Sequence, residues 1–358
     1  MSLPVALYFV FHKRNNIKEG LIKSLYSFFC RDINYPLFRG LNIPVYFHTQ
    51  DILPSQGVLD SYEKNIFVYF IDDNFVVDSD NIESFFNEHK HQDNKHFIFV
   101  SLTENFYKIS SFSSLQFIKL HEIEENKKQT YLFKELLHDI VRFLLQIERI
   151  KIFISHSKRD GLNKALKLKC QIEAYSKLDT FFDASDIQDS TEWENIIRQN
   201  LDNQQSVLLV IQTDSYSSRE WCKKEVLIAK KNKIPILILK ALKEGEDRSF
   251  PYMYNVPTIK CENEKIDIDL LLMKILWEVL RFYYQGKYLK YFVDNYCPRI
   301  RNDIEILSYP PELLTVINSD KKEFIYPDPP LGYEELEILS KLGDKYKFFT
   351  PLTCEERL

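Results

Sequence analysis

Residues 206–239 read SVLLVIQTDSYSSREWCKKEVLIAKKNKIPILIL, and this stretch decides the fold. It opens on SVLLVIQTD (206–214), with a continuous apolar VLLVI, and it reaches a second such stretch in IPILILKAL (234–242). The intervening SSREWCKKEVLIAKK (217–231) reads as a helix. Strands that are apolar on both faces and separated by a helix belong to a parallel sheet covered on both sides. In such an open sheet, ligands bind outside the carboxyl ends of the strands. Glu225 follows Trp221 by one helical turn, on the same face, where the chain leaves the first strand. Two readings stand for it: one more solvated helix charge, or a carboxylate aimed into a pocket.

Outward from this stretch the same order occurs twice. The later copy begins at RIKIFISHSKRDG (149–161). It continues through a helix to about 177, the strand DTFFDASDI (179–187), a helix near 191–203, the stretch above, PTIKC (257–261) and the helix IDLLLMKILWEVLRFYY (268–284). The earlier copy runs VALYFVFHK (5–13), a helix over 18–30, IPVYFH (43–48), IFVYFIDD (66–73), a helix near 80–90, HFIFVSL (96–102), LQFIKL (115–120) and TYLFKELLHDIVRFLLQI (130–147). Anchors align at an offset of about 140 residues, VYFIDDNF on LLVIQTDS and FIFVSL on ILILKAL, so the chain predicts two doubly wound α/β domains in tandem. They span 1–147 and 148–285. The Pro-richer remainder, 286–358, holds a small α/β piece (EFIYPDPP, GYEELEILSKLG, KYKFFTP), too short for a large core of its own and expected to pack on a domain.

Composition removes several function classes. Only 8 glycines occur and neither G-x-G-x-x-G nor G-x-x-x-x-G-K is present, which disfavours Rossmann and P-loop nucleotide sites. A net charge of −5 leaves no basic footprint for nucleic acid. Lys127-Lys128 and Lys230-Lys231 read as solvated faces. Six scattered cysteines without C-x-x-C indicate neither a zinc site nor a disulfide framework. His89 and His91 lack a third ligand and read as surface residues, so no metal is expected. The most apolar helix is interrupted by Lys274, Glu278 and Arg281 and is no membrane span. A reduced, cytoplasmic setting is the expectation.

Three segments should converge at the carboxyl edge of the second sheet: Ser155-His156-Ser157-Lys158-Arg159-Asp160, Asp183-Ala184-Ser185-Asp186-Ile187, and DSYSSREW leading to Glu225. KIFISHSKRDG, FFDASDIQDSTEWENIIRQNL and VLLVIQTDSYSSREWCKKEVLIAKKNKIPILIL, in that order, resemble a bacterial Toll/interleukin-1 receptor (TIR) domain over residues 149–284. The resemblance implies a flavodoxin-like fold and cleavage of NAD(+) at the nicotinamide–ribose bond. It makes Glu225, the glutamate of W-C-x-x-E, the catalytic residue, and it places Phe153, Ser155, Ser157, Asp183, Asp186 and Trp221 around the substrate. Ile187-Gln188-Asp189-Ser190 stands where many relatives have a Pro-Gly turn. That loop contacts a neighbouring protomer in the family, so the mode of assembly is in question here.

The chemistry suits a single carboxylate. Breaking the bond develops oxocarbenium character while nicotinamide leaves neutral, so no general acid is required. NAD(+) is then substrate and no cofactor is needed. Ser155 and Ser157 are either ligands of ribose or phosphate or caps of the next helix. Trp221 is either core or pocket wall. Cys222 reads as a small buried hydrophobe. In the first copy Phe85, or Phe86 with a one-residue slip, falls at the place of Glu225, and Asn81 or Ile82 at that of Trp221. Residues 1–147 thus read as a degenerate TIR-like domain for sensing or assembly.

The resulting expectation is an NAD(+) glycohydrolase of antiphage defence, activated by homo-oligomerisation through TIR contacts, with a sensor protein or a small-molecule signal as candidate trigger. Its product is ADP-ribose or a cyclic ADP-ribose. A non-catalytic TIR adaptor and a deoxyribosyltransferase-like nucleoside enzyme are the alternatives.

Overall fold

In a computed structural model the chain is described over residues 2–15, 19–35, 37–174, 179–181, 206–261, 266–299, 301–343 and 345–354. Contacts divide it into two compact units. One comprises Met1–Ile140, Tyr284–Pro311 and Lys321–Leu358, the other Val141–Tyr283 and Glu312–Asp320.

Apolar runs become the central strands. In the first unit β1 (Leu3–Phe11), β2 (Val45–Thr49), β3 (Tyr62–Ile71), β4 (Lys95–Ser101) and β5 (Phe117–Lys119) form one sheet in the order β2-β1-β3-β4-β5. Every pairing is parallel. From Val5 to Phe11 each residue of β1 is buried, because the sheet is covered on both faces. Tyr8, Phe67 and Phe97 lie in register on three neighbouring strands and stack at 4.9 and 5.1 Å. Such ladders hold register as well as area, each buried ring contributing roughly 1.5–3 kcal/mol. The helices α1 (Glu19–Phe29), α2 (Asp80–His89) and α3 (Lys128–Leu145) complete the pattern.

The second unit repeats the topology. Strands β6 (Lys151–His156), β7 (Asp179–Phe181), β8 (Ser206–Gln212), β9 (Ile236–Lys240) and β10 (Thr258–Lys260) pair in parallel in the order β10-β9-β8-β6-β7. Within each sheet the first strand lies between the second and third, the 2-1-3-4-5 order of flavodoxin-like sheets. The helices are α4 (Leu162–Ala174), α5 (Glu220–Lys231) and the start of α6 (Ile268–Tyr296). The expected helix near 191–203 lies outside the described residues.

Two expectations change. The last helix of the second copy does not stop at 284 but continues to Tyr296. Beyond Gly286 the chain still places Leu289, Phe292 and Val293 on one buried face, which carries the helix on. Gly286 lies at a close approach: a Cβ there would meet Ser308 Oγ at 3.3 Å, a tight contact with a side-chain atom. Secondly, His89 is not a surface residue but 5% exposed. It lies on the packed face of α2, its ring 4.4 Å from that of Phe85, and Lys95 Nζ lies 3.0 Å from Nδ1. Burial, followed by the Lys95 charge, holds its pKa below the ordinary imidazole value. His91 is exposed.

The tail contributes a third parallel sheet, β11 (Ile304–Ile306), β12 (Glu323–Ile325) and β13 (Lys347–Phe349), in that order. Short helices α8 (Tyr333–Ser340) and α9 (Pro351–Cys354) accompany it, and α7 (Leu313–Ile317) belongs to the second unit.

Candidate functional site

Helix α5 explains the position of Glu225. Its buried residues are Cys222, Glu225, Val226 and Ala229, a helical stripe facing the sheet, and Glu225 is its one charged member. Glu220 in the first turn and Lys230 and Lys231 in the last complement the helix dipole. The helix ends in a Schellman turn. Lys233 takes a left-handed φ of 55°, its N–H donates to Lys230 O at 3.2 Å, and Ile234 N–H donates to Ala229 O at 2.9 Å. Start and stop are therefore both fixed, and with them the face that Glu225 presents.

A buried carboxylate needs donors. Glu225, 8% exposed, accepts a short hydrogen bond through Oε2 from Ser155 Oγ, near the carboxyl end of β6. The hydroxyl of Tyr216 lies 2.6 Å from the same Ser155 oxygen. Serine has one proton to give and gives it to Glu225, so Tyr216 donates to Ser155. The chain of donors is Tyr216 to Ser155 to Glu225. Tyr216 is fully buried, and burial, reinforced by the Glu225 charge, pushes its phenol far above the ordinary value, so it remains a donor. Sequence reasoning missed Tyr216. Its signal was present in DSYSSREW, where an aromatic hydroxyl stands in the turn between a buried strand and the helix that follows.

The other expected residues sort as follows. Phe153 is buried on the same face of β6, in a cluster with Leu208, Val210, Tyr216, Cys222 and Val226. Trp221 is half-buried, packs against that cluster, and has Lys224 Nζ 5.5 Å from its ring. Ser157 is fully buried, 2.7 Å from Ser215 Oγ, and accepts from Arg159 N–H at 3.3 Å. That last bond makes it a turn former. Asp183 and Asp186 lie outside the described residues. The Cys222 thiol is pushed up by burial first and by the Glu225 charge second, which disfavours the thiolate.

Two further carboxylates brace the edge. Asp160 accepts from Thr213 Oγ1 at 2.7 Å, Ser215 Oγ at 2.5 Å and Ser215 N–H at 3.0 Å, joining the turn after β6 to the turn after β8. Burial alone would raise its pKa, but these hydrogen bonds hold it below the ordinary carboxylate value. Glu246 accepts from Gln212 Nε2 and Ser217 Oγ, both at 2.8 Å, and from Ser249 Oγ at 2.9 Å. Gly161 closes the first turn against backbone: a Cβ there would stand 2.9 Å from Ser157 O. A cavity of about 400 Å³ opens beside this bracing, lined by Asp160, Asn163, Lys164, Lys167, Thr213, Asp214, Ala241 and Lys243. Neither Ser155 nor Glu225 lines it. Among the described residues no group of three metal-ligating side chains occurs, and no helix is long and apolar enough to cross a membrane.

In the first unit α2 has a similar buried stripe, without a carboxylate on it. α2 buries Ile82, Phe86 and His89 at the spacing with which α5 buries Cys222, Val226 and Ala229. Phe85 then stands at the place of Glu225 and Asn81 at that of Trp221. Glu83 faces elsewhere, accepting from Ser79 Oγ at 2.8 Å and Ser111 N–H at 3.2 Å.

Residues 152–265 match the family model described as TIR domain. No curated protein matches the chain. Solved structures that align with it include a variant of SsGBP (10% identity, 66% of this chain and 79% of that one, TM-score 0.17). Others are the C-terminal domain of glucosamine-fructose-6-phosphate aminotransferase from Francisella tularensis (8%, 79% and 84%, 0.20) and a sugar binding protein from Salmonella typhimurium (11%, 77% and 88%, 0.18). At these TM-scores none of them bears on the fold or the site.

Proposed function

The chain carries a TIR domain over residues 152–265, and from that premise we propose that it is an NAD(+) glycohydrolase with Glu225 as catalytic carboxylate. TIR domains include NAD-cleaving enzymes and also self-associating adaptors. The observation that carries the enzymatic reading is the placement of Glu225 on the buried face of α5, beside the carboxyl end of β6. A glutamate serving only solubility has no reason to be 8% exposed at a sheet edge where ligands bind. As nicotinamide leaves, a carboxylate there opposes the positive charge developing on the ribose. In this reading Trp221, Asp183 and Asp186 are the further substrate-binding residues.

The same geometry supports a resting enzyme. Glu225 is covered and tied to Ser155, so substrate must displace that bond or wait for the edge to open. Homo-oligomerisation through TIR contacts supplies the opening, and residues 1–147 act as a sensing or assembly domain in antiphage defence.

Concentrated protein incubated with NAD(+), with and without a crowding agent, is expected to release nicotinamide by chromatography. Glu225→Gln is expected to lose at least about 100-fold of that rate. Absence of nicotinamide in every state of assembly returns the protein to the adaptor reading. Release from free nucleosides, but not from NAD(+), makes it a deoxyribosyltransferase-like enzyme.

A further inference from the structure

Six cysteines scattered through the sequence carry no disulfide motif, yet the fold brings two of them together. Cys297 and Cys354 are 57 positions apart in the chain, and their sulfurs are 2.9 Å apart. Cys297 follows the last turn of α6, its N–H donating to Val293 O at 3.0 Å. Cys354 ends α9, its N–H donating to Thr350 O at 2.9 Å. Both are buried in one cluster with Leu289, Phe292, Ile304 and Phe349. The loop between them contains the whole third sheet, β11 to β13.

Nothing else in the site gives the pair another role. A metal clip would need further ligands, and no group of three metal-ligating side chains occurs among the described residues. A ready nucleophile needs a thiolate, and while the cluster is closed, burial together with the neighbouring Cys354 pushes the Cys297 thiol up to about 12, so the closed pair is no standing catalytic nucleophile. Two thiols held in contact by packing, on elements distant in sequence, are already placed for a covalent bond between them.

We propose that Cys297 and Cys354 are a disulfide-forming pair that staples the third sheet to the end of α6 when the protein meets an oxidant of the peroxide class. One sulfur, as thiolate, attacks a peroxide oxygen; the O–O bond breaks, a sulfenic acid forms and water leaves. The second sulfur attacks the first, the S–O bond breaks, the S–S bond forms and a second water leaves. Two thiols lose two electrons and the peroxide takes them up. Burial makes the first step slow, so oxidation waits on local opening of the short helix α9. Once formed, the bond closes a loop of 57 positions and limits the unfolded chain accordingly.

The test uses the full chain, reduced, desalted and exposed to graded hydrogen peroxide. It is then denatured and labelled with a maleimide for intact mass and peptide mapping, with a thermal melt in parallel. The expected result is one intramolecular bridge between residues 297 and 354, four thiols still labelled, and a melting temperature that rises and falls back with dithiothreitol. Cys297→Ser and Cys354→Ser are each expected to lose both the bridge and the rise. If either variant fails to fold, the peptide map of the unsubstituted chain still decides. Six labelled thiols after peroxide, or a bridge joining any other pair, overturns the proposal. A bridge at 297 and 354 with an unchanged melting temperature overturns the stapling role. None of these outcomes depends on NAD(+) cleavage.

Discussion

Replacing Tyr216 with phenylalanine removes one oxygen from the buried donor chain that ends on Glu225. The ring stays, so the cluster with Phe153, Val210 and Val226 keeps its packing. What is lost is the 2.6 Å bond to Ser155 Oγ, leaving a buried acceptor unpaired. A neutral buried bond of this kind is worth about 1 kcal/mol, and an unpaired acceptor adds up to about 2 more. In a unit of this size each kcal/mol lowers the melting temperature by roughly 2–4 °C. For catalysis, Ser155 must still hold Glu225 Oε2 but is no longer held itself. A loosening worth about 1.4 kcal/mol in the transition state lowers kcat about tenfold. Because the tyrosine touches no substrate, KM is expected to stay within about twofold. The assay is steady-state nicotinamide release across NAD(+) concentrations, alongside a thermal melt. An unchanged kcat with a lowered melting temperature would show that Tyr216 only packs, and the donor chain would have no catalytic meaning.

Ser155→Ala strips partners from both Tyr216 and Glu225, and at about 1.5–3 kcal/mol for a bond to a charged group it should cost more than the tyrosine change in both readouts. Gly161→Ala drives a methyl to 2.9 Å from Ser157 O, which is backbone and cannot swing away; about 1–3 kcal/mol of stability should be lost in urea unfolding. The Asp160 carboxyl is held low in the fold, so its contribution is complete above about pH 4 and fades as the pH falls further. Asp160→Asn should lower the melting temperature at neutral pH and flatten its decline in that acid range. An identical slope in the variant removes Asp160 from the account.

Much of this was legible because apolar runs and helix spacing are local properties. VLLVIQ, FIFVS and IPILIL are buried strands in any parallel sheet, and the repeat at a near-constant offset predicts what the two matching strand orders show. The site was legible to the extent that a motif is contiguous: Trp221, Cys222 and Glu225 sit on one helix. His89 failed because a histidine's burial depends on what crosses it, here Phe85 and Lys95. The end of α6 failed because the continuous apolar run stops at Tyr284, and the burial that carries the helix on, at Leu289, Phe292 and Val293, depends on what packs against it.

By itself, then, the sequence determined the fold class and the one carboxylate on the inner face of its helix. These follow from periodicity and from backbone preferences that act over a few residues. Only the tertiary structure decided which donors meet that carboxylate, and that Cys297 lies against Cys354. Those pairings join residues 57 to 70 positions apart. No local propensity encodes such a distance; it is set by which strands pair and how the helices pack across them.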